Sequence, residues 1–178
     1  NADIDALGTQ LKLLNTMQPE AKGTVISTST ISADVKAVAA KDGITAIKVK
    51  STRMLLAYGF LRRIFEIFEK YKTPIDMITT SEVAVSVTID HDEFLDKIVA
   101  ELSQFGQVEV DKGQTIICIV GNFVAEQKGI VSNIFDALKD TPIRMISYGG
   151  SRHNISLLTD STNKEHALKV LNQHLFNL

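Results

Sequence analysis

Two stretches of this chain repeat each other at an interval of about 70 residues. Gly59 recurs as Gly129, Ile64-Phe65 as Ile134-Phe135, and Pro74-Ile75 as Pro142-Ile143. Met77-Ile78 recurs as Met145-Ile146, and Val85-Ser86-Val87 as Ile155-Ser156-Leu157. A repeat that preserves residue identity and element order together restricts the fold to two copies of one unit. In the first copy, Phe60, Leu61, Ile64, Phe65, Phe68 and Tyr71 recur at three- and four-residue spacing and form the apolar face of a helix. Pro74 is expected to stop that helix, having no N–H to donate and disfavouring helical geometry in the residue before it. β-Branched strands over 75–78 and 83–89 then flank a turn made by Thr79, Thr80, Ser81 and Glu82. A second helical stripe (Phe94, Leu95, Ile98, Val99, Leu102, Phe105) opens behind the acidic pair Asp92-Glu93 and ends at Gly106. The second copy offers a strand over 115–121, a helix over 129–138, strands over 143–148 and 154–159 around Gly149-Gly150-Ser151, and a helix over 166–176. Each copy reads strand-helix-strand-strand-helix, the ferredoxin-like order.

The copies end differently. The first closes with a fourth short strand at 108–110, whereas the second runs out of sequence after its helix. A four-stranded sheet must take its last strand from elsewhere, and 34–41, with alternating apolar residues, is the unassigned candidate. Asp42-Gly43 is expected as the turn from that strand into another over 44–50, and Asp111-Lys112-Gly113 as a turn before 115. The expected fold is therefore α+β, with two ferredoxin-like βαββαβ modules. The first, 43–112, is inserted into a discontinuous second, 33–42 plus 113–178.

Composition excludes several function classes. With 178 residues, 44% hydrophobic and 22% charged, the chain is long enough for one or two small domains. The formal charge of −2 gives no basic footprint for nucleic acid. The aromatic residues lie mainly on helices, not on central strands where a ferredoxin-like RNA binder would need them. No apolar run approaches the ~18 residues of a membrane helix. Cys118, the one cysteine, lies in the apolar run Ile116-Ile117-Cys118-Ile119 and reads as a small buried hydrophobe in a reducing, cytoplasmic setting. The start, Asn1-Ala2-Asp3, has no basic or apolar leader region, and the chain is expected to be a piece of a longer protein. There is no Walker-type loop, no metal-ligand spacing and no nucleophile–base pair at recognisable spacing. His91, His153, His166 and His174 are scattered in polar surroundings as surface or turn residues. No catalysis and no cofactor are expected of this chain by itself.

Ligand binding has the better case. Gly59, Phe60 and Leu61 open a helix, where unpartnered N–H groups and the positive dipole end suit a carboxylate. Asp76 is a lone carboxylate among Ile75, Met77 and Ile78, and Glu82 follows Thr80 and Ser81 in the turn. Amides on one side and two carboxylates on the other complement an amino acid that bears an extra cation, namely L-lysine. Taken singly, Asp76 has a lesser reading as a charge facing water on an edge strand, and Glu82 reads as an ordinary turn residue.

The string STRML..YGFL, followed by PIDMITTSEVAVSVTID, resembles the first ACT module in the regulatory region of aspartate kinases, and most closely the lysine-sensitive type. The resemblance implies an inhibitor site between two first modules, lined by the residues matching Met54, Gly59, Phe60, Leu61, Ile75, Asp76, Thr80, Ser81 and Glu82. It places Asp76 on the effector's α-ammonium and Glu82 on its ε-ammonium. It implies a homodimer through the ACT modules, and a kinase domain of the same chain using MgATP, of which 1–32 would be the tail and linker. Ala57 stands where a serine is common and Leu56 where a histidine can occur, so threonine or S-adenosylmethionine as effector, or a unit that only dimerises, are the alternatives. The second copy carries Arg144 where the first has Asp76, which suits packing better than binding a cation.

Overall fold

The computed structural model describes residues 35–51 and 58–176, together with 11–13, 20 and 24–26. The chain divides into two units, Asn1–Ala33 and Asp34–Leu178. In the first, β1 (Leu11–Leu13) pairs antiparallel with β2 (Thr24–Ile26). The second unit is built on two long neighbouring strands, β3 (Val35–Lys50, 16 residues) and β6 (Gln107–Gly121, 15 residues). Between them run α1 (Phe60–Lys70), β4 (Ile78–Thr80), β5 (Ala84–Ile89) and α2 (Leu95–Leu102). After them run α3 (Ile130–Ala137), β7 (Met145–Ser147), β8 (Asn154–Asp160) and α4 (Lys164–Phe176).

The six strands form one antiparallel sheet in the order β4-β5-β3-β6-β8-β7. Each long strand serves both halves. In β3, residues Thr45 to Lys50 pair with β5, while residues from Val35 to Lys41 pair with the end of β6 that β8 also flanks. The first half thus orders β4-β5-β3-β6 and the second β7-β8-β6-β3, two ferredoxin-like sheets sharing their central ladder. The second half receives its fourth strand from the chain that precedes the first half, as strand counting requires.

The turns expected at Asp42-Gly43 and Asp111-Lys112-Gly113 do not interrupt the strands. Both are bulges. Lys41 pairs with Ile116, Ile44 with Gln114 and Ala46 with Asp111, so each strand carries one extra residue in turn. Gly43 and Gly113 have φ of 74° and 68°, the left-handed region that lets an extra residue be absorbed while pairing continues. An extra residue also switches which parity faces the helices. Val38 contacts the second-half core, whereas Ile47 and Val49 contact the first.

The first-half core joins Ile47, Val49, Val85, Val87 and Ile89 to Phe60, Ile64, Phe68 and Ile98 from the helices. The second joins Ile117, Ile119, Ile155 and Leu157 to Ile134, Leu138 and Leu171. A third cluster, Ile44, Ala46, Met77, Ile116, Met145 and Leu158, sits on the opposite sheet face. A flat sheet of six strands would be about 24 Å wide. Met77 immediately precedes edge strand β4 and Met145 opens edge strand β7, yet they share one cluster and the two edge strands approach each other, so the sheet curls. Cys118 packs against this cluster and is half-buried, its sulfur 3.2 Å from the Ser156 hydroxyl, so it is less enclosed than expected.

Element ends also differ from expectation. Helix α1 stops four residues before Pro74, because Lys72 takes φ 50° and the N–H groups of Lys72 and Thr73 donate to the carbonyls of Glu69 and Phe68. That is the paired bonding of a Schellman end, with Pro74 barring re-entry afterwards. Helix α2 ends at Leu102, short of Gly106. Gly106 instead admits a neighbour: a Cβ there would lie 2.1 Å from the Lys50 carbonyl oxygen. Strand β4 begins at Ile78, leaving Ile75 and Asp76 before it, and Thr79 and Thr80 belong to the strand and not to the turn.

The two bulges carry opposite charges, and so do their partners. Asp42 pairs with Lys164, whereas Lys112 pairs with Asp92 at 3.0 Å. Lys41 reaches Asp90 at 2.7 Å, whereas Asp111 pairs with Arg144. The Lys41 hydrogen bond, followed by that from His91, pulls the Asp90 carboxyl down to about 2. A lowered carboxyl contributes stability that is complete above its ordinary value of 3.8 and is lost as pH falls through about 2.

Gly106→Ala should lower the chemical-denaturation midpoint by the equivalent of about 1–3 kcal/mol, since backbone must move to admit the methyl. Gly150→Ala, with open space around it, should change little. Thermal melts from pH 4 to pH 2 should fall less steeply for Asp90→Asn than for the wild type; equal slopes would show that the Lys41 pair is not what lowers Asp90.

Candidate functional site

Helix α1 begins at Gly59, which has φ 77° and provides no side-chain cap, and its first turn holds no acidic residue. The first-turn amides therefore face outward without a built-in carboxylate, as an anion site needs. Phe60 anchors this end: its ring is buried and meets Phe105 edge-on at 6.4 Å. Leu61 is 38% exposed and Tyr58 fully so. Phe105, which Phe60 meets, precedes Gly106, and Gly106 abuts the Lys50 carbonyl, so α1 starts where β3 finishes. Met54, Leu56 and Ala57 fall in the connection from β3 to α1 and lie outside the described residues.

The β4–β5 turn sits at the same end. Lys50 pairs with Ala84, and the Ser51 N–H donates to the Val83 carbonyl at 2.9 Å. Ser81 closes the turn with an N–H bond to the Ala84 carbonyl at 2.8 Å, leaving Thr80, Ser81 and Glu82 exposed. An open cleft of about 830 Å³ lies here, lined by Lys48, Lys50, Ser81, Val83, Phe105 and Gln107. It includes neither Gly59 nor Asp76. Glu109 lies 2.7 Å from Lys50 and 3.9 Å from Lys48, so the two cations share one carboxylate.

Asp76 is at the other end. Its N–H donates to the Thr88 carbonyl, and Thr88 pairs with Ala46, well down the ladder from Lys50. Helix α1 carries the chain about 16 Å along the module before Asp76 is reached. Four residues of extended chain, about 13 Å, separate Asp76 from Thr80. The structure thus brings Gly59, Phe60 and Leu61 to the end that carries Thr80, Ser81 and Glu82. It sets Ile75 and Asp76 apart from them. One copy of the chain does not assemble the expected constellation.

Asp76 is also not bare. Lys41 Nζ lies 2.7 Å from its Oδ1 and 2.7 Å from Asp90, and the Asp76 carboxylate, then that of Asp90, raise the Lys41 pKa above its ordinary value. Neither Lys41 nor Asp90 was identifiable as part of this site from local sequence. The signal was in the repeat: Lys41 aligns with Asp111 and Asp76 with Arg144, a pairing kept with its charges exchanged.

Between the two ends runs β4, which among the described residues has a strand partner on one side only and lies close to β7. β4 is the outermost strand, three residues long, and its first residue, Ile78, is 45% exposed, with Leu61 at 38% and Val83 at 47%. The second half repeats this surface with Val131, Ile146 and Tyr148. Its counterpart of Asp76, Arg144, is occupied with Asp111. Elsewhere, the His153 ring lies 5.0 Å from that of Phe123, tilted by 53°, and accepts from the Phe123 N–H at 3.3 Å. Among the described residues no three His, Cys, Asp or Glu side chains are placed to hold a metal ion. No helix among them is long and apolar enough to cross a membrane.

The sequence profile of the ACT domain family matches residues 117–175. A solved structure assigned to the C-terminal regulatory domain of aspartate kinase from Porphyromonas gingivalis W83 is 54% identical, covering 81% of this chain and 99% of that one, with a TM-score of 0.73. Escherichia coli aspartokinase III, solved in complex with lysine and aspartate in its T-state, is 31% identical over 94% of this chain and 39% of its own, with a TM-score of 0.79. Chloroplastic aspartokinase 3 of Arabidopsis thaliana is 35% identical over 93% of this chain, which spans only 32% of that relative. The chain thus spans about a third of the length of the curated relatives it matches, and it belongs to the aspartate kinase family as a C-terminal regulatory region built of ACT domains.

Proposed function

We propose that this chain is the allosteric region of an aspartate kinase and binds L-lysine as feedback inhibitor between two copies of its first ACT module. The parent enzyme would transfer a phosphoryl group from MgATP to the β-carboxylate of L-aspartate, the first step toward lysine, threonine and methionine. Residues 43–112 form the effector-binding module, 33–42 with 113–178 the second module, and 1–32 the tail and linker of the kinase domain. By itself, without the kinase domain, the chain is expected to be inactive in that reaction.

The observation that carries the reading is the division of the expected site between the two ends of one module. Two-fold pairing along the outer edge of β4 would run one copy's strand antiparallel to the other's. That operation sets Ile75 and Asp76 of one copy beside the Gly59 end and the Thr80, Ser81 and Glu82 turn of its partner, twice. A lysine seated there meets first-turn amides at its carboxylate, Asp76 at its α-ammonium and Glu82 at its ε-ammonium. The exposed Leu61, Ile78 and Val83 supply apolar area for the pairing. Lysine that binds only the paired arrangement would shift the dimer by its differential affinity, a coupling of about 1–3 kcal/mol in known allosteric systems. Threonine has no second cation for Glu82, so lysine is favoured over it.

A unit that only dimerises is the second reading, favoured by the Lys41 ion pair already on Asp76. Titration calorimetry with lysine, threonine and S-adenosylmethionine should give saturable heat with lysine alone, at one site per chain. Asp76→Ala should weaken lysine at least tenfold while the far-ultraviolet dichroism and dimer mass stay unchanged. A dimer by light scattering that gives no heat with any of the three would mean either that the kinase domain is needed to form the site or that the modules only hold the dimer together.

A further inference from the structure

The carboxylate that the lysine reading assigns to the effector's ammonium already holds an ammonium from its own chain. Lys41 Nζ stands 2.7 Å from Asp76 and 2.7 Å from Asp90, half exposed, with both carboxylates about three-quarters covered. A second cation brought to Asp76 would meet Lys41 there, and like charges on one carboxylate repel. Lys41 differs from a permanent structural partner in one respect: it has a second carboxylate at the same distance. Leaving Asp76 strands no charge, because Asp90 keeps the ammonium paired. The other half of the molecule lacks this arrangement, since Arg144 replaces the carboxylate itself.

The placement of Lys41 adds a consequence. Its backbone pairs with Ile116 in the second half, one residue before the bulge at Asp42 and Gly43, while Asp76 and Asp90 belong to the first half. Lys41 is thus a side chain from one ACT module resting on the effector carboxylate of the other.

We propose that Lys41 is a tethered competitor for the effector's ammonium: ligand arrival at Asp76 moves Lys41 onto Asp90 alone, so Lys41 lowers effector affinity and couples site occupancy to the joint between the modules. The proposal rests on the lysine reading of Asp76. Exposed ion pairs are weak, so the competition is worth a modest factor and not orders of magnitude.

The test is lysine titration calorimetry on this chain and its variants at fixed ionic strength. Lys41→Met keeps the apolar stem and removes the charge, and should tighten lysine about two- to five-fold. Lys41→Arg should stay near wild type. Asp90→Asn takes away the alternative partner and should weaken lysine by a similar factor, while the Lys41→Met, Asp90→Asn double variant should return to the affinity of Lys41→Met alone. Unchanged or weaker binding by a folded, dimeric Lys41→Met overturns the competitor role and leaves the lysine site standing if Asp76→Ala still weakens lysine at least tenfold. Binding insensitive to Asp76→Ala, or absent from the wild type, overturns the site and the competitor together. Should Lys41→Met not fold, Lys41→Gln carries the same expectation.

Discussion

The antiparallel ladder between β3 and β6 is the interaction on which everything else in Asp34–Leu178 depends. Neither half owns a complete sheet. Each takes one strand-half from β3 and one from β6, so the modules share backbone hydrogen bonds and are not two beads on a linker. The bulges at Gly43 and Gly113 are what allow one strand to serve two cores, since each switches the parity of the residues that face helices. A ladder of this length also carries the third cluster on its far side, where Ile44 and Ile116 meet Met77 and Met145. Strain entering at either module's edge therefore reaches the common strands directly.

Duplicated modules with identical charges at the joint would have little to tell one partner from another. Here the joint is charge-exchanged: Asp42 with Lys164 against Lys112 with Asp92, and Lys41 with Asp76 against Asp111 with Arg144. Each pair is exposed and individually weak. Their effect is on specificity, because pairing either bulge with the other module's partner would bring like charges together. The same exchange divides the labour between the modules. One keeps a carboxylate beside its edge strand, and the other has a guanidinium there.

The separation of Asp76 from the helix α1 N-terminus gives the proposed regulatory behaviour its physical form. A site that needed Asp76 together with the Gly59 and Glu82 end would be completed only by a symmetry mate, and effector binding and subunit arrangement would then be one equilibrium. The short β4 edge, with its exposed aliphatic side chains, gives that mate a place to pair.

The sequence alone determined the duplication, the ferredoxin-like order, the borrowed fourth strand and the apolar helix faces, because each follows from local periodicity and from counting strands. It also supplied the residue types of the candidate site. It misread the joints. Asp42-Gly43 and Asp111-Lys112-Gly113 have the composition of turns, and only pairing on both sides of β3 and β6 makes them bulges. Pro74 was the visible helix stop, but Lys72 acts first through bonds to Phe68 and Glu69 that composition does not advertise. Lys41 lies 35 residues from Asp76, and no local pattern connects them. Their contact, and the distance that keeps Asp76 away from Gly59, are decided by how strands register across the sheet. Register is a non-local quantity, set by which apolar faces must be buried together, and so it belongs to the tertiary structure.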